Sequence, residues 1–482
     1  MYSRSSIDSI SSISTDTSVT SFETLACTSM RVFLVQTARG LFSSSGGYKS
    51  NICLLRYLAS RGHSVRQLCY FHQNEVEDYV QKMLLKDGLE MRVHRELLHL
   101  SSGPEDSGVN VEVVQLTMED GVEIVGLEKE AFDAAFGGKE NLHNEMARET
   151  AAYIEKGTLS ARLSGFVTFL QNKIAEYAPT HVISNDGLSM KATSTSELPD
   201  LDICRVAVIH SAEQLPFGPF AGGLPGMASS LGEFDLLRQL DGIWSVSTAI
   251  KDYAMKYGQL QSDFFVHHPW TYLEEKTHQM PTQLHNWGKK YVGMINPCAV
   301  KGSGILLDLA KACSHLDFLV YKSWGSDEKL EQQLRSLDNM TIRPSCTNMD
   351  EAWRTIKVLL VPSVWYEAWG IVVIEAHLRG IPVICSNSGA LPEAMRGLNH
   401  IIPVNAINGD RDANGIYVVP EQDIEPWAKT LNELMSDRVL YEKLSSEVRG
   451  KTEQWLRDMD VTALERWLLG LEMKLEQHNI AE

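Results

Sequence analysis

Apolar runs and amphipathic stretches alternate along most of the chain. In the first half, runs at residues 31–35, 63–68, 111–116, 181–184, 206–210 and 242–247 are short and rich in Val, Ile and Leu, which predicts buried strands. The same pattern recurs in the second half at 291–296, 318–321, 340–343, 358–361, 383–385 and 401–404. Helical periodicity fills the gaps at 51–59, at 305–313 and from Ile371 onward. Strands alternating with helices predict an α/β fold with parallel sheets and right-handed crossovers. Residues 75–100 read as charged helical stretches, and 133–170 as mostly helix. The run at 242–247 reads as the last strand of a first domain, with Ser247 capping the helix behind it.

Punctuation divides the chain into parts. Residues 1–29 are rich in Ser and Thr, lack the apolar core of a secretory signal, and read as a disordered tail. A first α/β domain is expected at 30–268, a polar, Pro-containing linker at 269–287, and a second α/β domain at 288–455. Within 456–482 the apolar residues fall on one face of a last helix. A chain of 482 residues exceeds one ordinary core, which agrees with this division.

Composition narrows the partners. Asp and Glu number 62 against 44 Lys and Arg, for a net charge of −18. That balance argues against nucleic acid or an anionic membrane surface as the main partner, because both select basic patches. No stretch is apolar enough, for long enough, to predict an integral membrane segment. Cysteines at 27, 53, 69, 204, 298, 313, 346 and 385 form no C-x-x-C pair, and several lie in apolar runs. Buried free thiols in a reducing, cytoplasmic setting are the expectation. His267-His268 has no carboxylate or thiol at ligand spacing, so no metal site is assigned there.

The chemistry concentrates in residues 358–393. The run at 358–361 is stopped by Pro362-Ser363, and a short loop carries Glu367, Trp369 and Gly370 into a helix beginning at Ile371. Arg379-Gly380 ends that helix, with Pro382 just beyond. In an open parallel sheet, ligands sit beyond the carboxyl ends of the strands. Here that end delivers a helix N-terminus, whose free N–H groups at Gly370, Ile371 and Val372 suit phosphate. Carboxylates repel phosphate, so Glu367 and Glu375 are read as acceptors for hydroxyls nearby. Phosphate at amides and hydroxyls at carboxylates together describe a nucleotide sugar. Taken alone, the two carboxylates also fit solvated charges flanking a helix.

Three further places bear on the same ligand. Gly46-Gly47 precedes the helix at 51–59, a second glycine-rich turn at a helix N-terminus, though without G-x-G-x-x-G. It reads equally as a plain flexible turn. Lys301 follows the strand at 291–296 and brings a mobile positive charge to a diphosphate, or is an ordinary surface lysine. His210 stands at the carboxyl end of its strand, either in a site or as a hydrogen-bonded structural residue.

Glu367 and Glu375 lie seven residues apart within E-A-W-G-I-V-V-I-E-A, followed by G-I-P-V and by Glu393. This stretch resembles the E-x7-E region of retaining glycosyltransferases of family 4. The resemblance implies the GT-B fold: two Rossmann-like domains facing across a cleft, with the C-terminal helix crossing back to the first. It implies an enzyme that moves a sugar from a UDP- or GDP-sugar to an acceptor hydroxyl with retention and without a metal. The nucleotide sugar is then a co-substrate, and no other cofactor is expected. Gly46-Gly47 and the later R-G-H resemble the family's opening, which approaches the donor phosphate, and His210 resembles its active-site histidine. The family often has an arginine shortly before the lysine. Here Asn296-Pro297 stands in that neighbourhood, so Asn296 offers a hydrogen bond and no charge. The expected catalytic set is His210, Glu367 and Lys301. The donor-binding set is Gly46, Gly47, Asn296, Trp369, Gly370, Ile371, Val372 and Glu375. The acceptor class stays open and includes small molecules. A phosphorylase, a sugar-nucleotide epimerase and a non-catalytic nucleotide-sugar-binding module remain alternatives.

Overall fold

The computed structural model describes residues 29–39, 45–138, 142–221, 231–273, 279–323, 325, 327–346, 348–413 and 417–481. The tail expected at 1–29 lies outside these but for its last residue.

Nine strands make the first sheet: β1 (Arg31–Arg39), β2 (Ser64–Phe71), β3 (His94–Leu100), β4 (Val109–Thr117), β5 (Glu123–Glu128), β6 (His181–Ser184), β7 (Cys204–Ile209), β8 (Gly242–Ser245) and β9 (Phe264–Val266). Their order is β3-β4-β5-β2-β1-β6-β7-β8-β9. The six-stranded second sheet contains β10 (Tyr291–Ile295), β11 (Asp317–Tyr321), β12 (Met340–Arg343), β13 (Ile356–Val361), β14 (Val383–Ser386) and β15 (Ile401–Ile402), in the order β12-β11-β10-β13-β14-β15. Every pairing in the second sheet is parallel. Central strands of such a sheet are covered by helices on both faces, so β13 is apolar almost without interruption and its residues from Ile356 to Leu360 are buried. The αβ alternation expected from the sequence is the architecture found.

Three expectations change. Residues 75–100 are not all helix: the Glu75–Asp87 helix gives way to β3, which pairs antiparallel with β4. The β3 sequence HRELLHL is half-exposed and charged, so its strand alternation was hidden among helix-favouring residues. β5 pairs antiparallel with β4 and parallel with β2, joining this hairpin to the sheet. The last strand of the first sheet is β9, not β8, and its three residues are too few to show a period. Ser247 does cap the Thr248–Gly258 helix, accepting from Ile250 N. The first helix starts at Gly46 rather than Asn51, capped by Ser45.

The last helix, Ala463–Ala481, returns to the first sheet. Its Glu465 carboxylate accepts from Tyr57 Oη (2.7 Å), His63 Nε2 (3.0 Å) and Arg61 Nε (3.2 Å). His181 Nε2 donates to Leu468 O (3.0 Å), and Trp467 stacks on Phe265 with centroids 5.2 Å apart. The seven described cysteines are free thiols, five of them buried. Among the described residues, no helix is long and apolar enough to cross a membrane.

Glu465 is 6% exposed and His63 is buried with it, so removing the carboxylate strands the His63 N–H away from water. Glu465→Ala is expected to lower stability by about 2 kcal/mol. Chemical denaturation measures this, and Glu465→Gln, which keeps one acceptor, should recover part of the loss.

Candidate functional site

The carboxyl ends of the two sheets enclose a cleft of about 580 Å³. Ser45, Gly46, Gly47 and His210 line one side, and Asn296, Lys301, Glu367 and the turn from Gly370 to Val372 line the other. Two helix N-termini therefore open into one space. The Gly46–Ser60 helix comes from the first domain and the Ile371–Leu378 helix from the second. They approach closely: a Cβ added to Gly46 would stand 2.5 Å from Ile371 Cδ1, and one on Gly47 would stand 3.0 Å from the His210 ring. A side chain at either position would have to displace Ile371 or the His210 ring.

The loop after β13 is fixed from beneath. Val364 N and Trp365 N both donate to Val300 O (3.1 and 3.0 Å), tying the loop to the turn that carries Lys301. The end of β14 and the segment after it supply the remaining ties. Ser386 Oγ donates to Ser363 O (2.5 Å), Ser388 Oγ to Trp365 O, and Ala390 N to Glu367 O (2.8 Å). Gly389 has φ +56, and a Cβ there would lie 2.2 Å from Glu367 O. A loop whose inward carbonyls are satisfied in this way is a rigid lead into the helix N-terminus at Gly370, where an anion is stabilised.

Lys301 and Glu367 form an ion pair of 2.6 Å. Burial disfavours the Lys301 charge, but the Glu367 carboxylate outweighs it and holds the ammonium above its usual range. Glu213, on the turn after His210, also faces this lysine. It accepts from Trp365 Nε1 across the domain gap (3.2 Å), and burial pushes its carboxyl upward. His210 Nε2 is 2.7 Å from Asn51 Oδ1, and burial pulls its pKa down to about 4, so the ring is neutral at neutral pH.

Asn296 and Trp369 also line the cleft, with part of each side chain engaged inside the protein, whereas Glu375 does not line it. Asn296 has φ +55, and its Oδ1 accepts from Gly325 N (3.1 Å), so the amide's oxygen is taken up inside its own domain. Trp369 is 4% exposed. Its Nε1 donates to Tyr272 Oη (2.6 Å), and its indole stacks on His268 at 4.2 Å with Arg396 over it at 4.8 Å. Its indole is thus committed to packing between domains. Glu375 lies behind the lining, which ends at Val372 on that helix. Burial raises its carboxyl, partly offset by Lys49 of the first domain and by Arg379.

Glu393 spans the domains. One carboxylate oxygen accepts from Thr248 N (3.2 Å) and Thr248 Oγ1 (3.0 Å) and faces His268 Nε2 at 3.3 Å, and the other accepts from Ala249 N (3.4 Å). It caps the N-terminus of a helix on the opposite domain, where a negative charge is stabilised by the dipole. Tyr366 Oη donates to Ala249 O (2.9 Å) beside it, and Trp365 packs edge-on against Phe220 at 4.8 Å. Among the described residues, no group of three or more His, Cys, Asp or Glu is placed to hold a metal ion.

Residues 290–437 match the family described as glycosyl transferases group 1. Over 129 residues the chain is 31% identical to a D-inositol 3-phosphate glycosyltransferase of Streptomyces bingchenggensis (strain BCW-1), a match covering 26% of this chain and about a quarter (25%) of that relative. The fold resembles sucrose-phosphate synthase from Thermosynechococcus elongatus over 94% of this chain and 100% of the other (TM-score 0.61, 14% identity). It also resembles the catalytic domain of starch synthase IV from Arabidopsis thaliana, bound to ADP and acarbose, over 93% and 99% (TM-score 0.60, 12% identity). The fold is that of the GT-B glycosyltransferases.

Gly389→Ala would push a methyl into the Glu367 peptide, so the loop at 362–370 is expected to shift while the two sheets stay folded. Hydrogen exchange should then speed up at the loop amides and not in β10 or β13. Glu393→Ala removes the cross-domain cap, at a cost of about 1 kcal/mol. Small-angle scattering should report a wider separation of the domains in that variant.

Proposed function

We propose that the chain transfers a glycosyl group from a nucleoside-diphosphate sugar to an acceptor hydroxyl, with retention at the anomeric carbon and without a metal. One observation carries this reading: two helix N-termini and the Lys301 ammonium open into a single interdomain cleft that also holds a carboxylate. The match to group 1 glycosyl transferases over the second domain supports it.

In this reading the diphosphate lies against the amides of Gly370, Ile371 and Val372, with the N-terminus at Gly46 and Gly47 opposite. With nothing bound, Lys301 and Glu367 neutralise each other. A diphosphate draws the ammonium toward itself and leaves Glu367 to accept from hydroxyls of the donor sugar. Glu375, one turn behind the cleft lining on the same helix, is assigned the ribose hydroxyls, with Lys49 partly offsetting the burial that raises its carboxyl. The bond from the anomeric carbon to the diphosphate oxygen breaks as the acceptor oxygen approaches on the same face. The leaving diphosphate takes the acceptor's proton. Charge growing on the leaving oxygen meets N–H dipoles and an ammonium already in place, the kind of preorganised stabilisation that dominates many enzymes. Charge neutralisation by these groups is the reason the proposal needs no metal.

The test is release of nucleoside diphosphate from UDP-, GDP- and ADP-sugars, paired with thermal shift by the free diphosphates. Lys301→Ala is expected to slow turnover about 100-fold. Glu375→Gln should weaken donor binding. If none of the three diphosphates raises the melting temperature, the reading is wrong. Binding without any release would instead favour the non-catalytic module.

A further inference from the structure

His210 is held from behind by two buried amides. Its Nε2 is 2.7 Å from Asn51 Oδ1, one turn beyond Gly47 on the first helix. Asn51 is 0% exposed, and its Nδ2 donates to Oε1 of Gln36 on β1 (3.2 Å), which is 2% exposed. Asn51 gives its Nδ2 to Gln36, whose own Nε2 is buried with no hydrogen-bond partner among the described residues, and turns its carbonyl oxygen to the imidazole, where that oxygen only accepts. A neutral imidazole carries a single N–H, so it lies on Nε2 and leaves a lone pair on Nδ1. The ring has little room to turn over. Gly47 closes one edge, where a Cβ would meet His210 Cγ at 3.0 Å, and Trp244 meets it edge-on at 5.9 Å. The main chain is tied as well, since His210 N donates to Gln214 Oε1 (2.6 Å).

We propose that Asn51, oriented by Gln36, is a positioning residue that fixes His210 as its Nε2–H tautomer, so that Nδ1 accepts a hydrogen bond from a hydroxyl of the bound sugar. A bare ring nitrogen repels a phosphate oxygen, which has no proton to donate. The inference therefore assigns His210 to an alcohol and not to the diphosphate. The identity of that alcohol rests on the glycosyl-transfer reading, whereas the tautomer does not.

The experiment begins without substrate. Long-range proton–nitrogen NMR on the full chain, labelled with ¹⁵N-histidine, reads which ring nitrogen carries the proton. His210→Gln identifies the signal. Wild type is expected to show a protonated Nε2 and a bare Nδ1 at neutral pH. Asn51→Leu removes the acceptor and should mix or reverse that pattern. Asn51→Asp keeps an acceptor at the same place and adds a negative charge, which favours imidazolium and raises the His210 pKa.

Kinetics then separate positioning from folding. Asn51→Leu is expected to lower kcat about 100-fold with donor KM little changed, as for a misplaced group at a reacting centre. Asn51→Asp should restore turnover at mildly alkaline pH and lose it as pH falls, because the raised pKa brings protonation of Nδ1 into that range. A wild-type spectrum with the proton on Nδ1 overturns the proposal. So does equal activity of the Leu and Asp variants at alkaline pH. Should either variant fail to fold, the wild-type spectrum alone decides. If wild type turns over no donor yet shows the expected tautomer, the transfer reading fails and the positioning role stands.

Discussion

Two helix N-termini face one another across the cleft, each bearing about half a positive charge from its aligned peptides. Like ends brought together repel, and Lys301 adds a full charge to the same space. The protein offsets this in two ways. Glu367 pairs with Lys301 inside the cleft. Outside it, Glu393 caps the Thr248–Gly258 helix from the opposite domain, and the Trp365, Phe220 and Tyr366 rings pack across the gap. An anion between the helices would convert the repulsion into attraction on both sides at once.

Much of this was legible in the sequence, for physical reasons that can be named. β13 and β14 are buried on both faces, so their apolar runs carry a strong signal. The Ile371–Leu378 helix begins and ends where Gly370 and Gly380 permit. Gly46-Gly47, His210, Lys301 and Glu367 are brought to one cleft as their positions at strand and helix ends suggested. What stayed hidden was reciprocal. Ser386, Ser388 and Gly389 shape the Glu367 loop only because β14 pairs with β13, and no local pattern announces that. Asn51 looked like one polar residue on a helix face, and its partners Gln36 and His210 come from β1 and the end of β7.

Trp369 and Asn296 show the limit from the other side. Both line the cleft, yet the Trp369 N–H and the Asn296 amide oxygen are each drawn into the protein. The deciding partners, Tyr272 and Gly325, are distant along the chain or carry no side chain. A motif places a residue near a site. Which of its atoms remains available is set by tertiary contacts that a motif does not contain.

The chain passes between its two sheets twice, once between β9 and β10 and again just before the Ala463–Ala481 helix. Two crossings side by side define an axis, where a single one would be a swivel. His267 Nε2 donates to Asp460 O (3.1 Å), which fastens the crossings to each other. A rotation of one half against the other would have to turn both crossings together, like a door on two pins, and would carry Glu393 back to the same helix end.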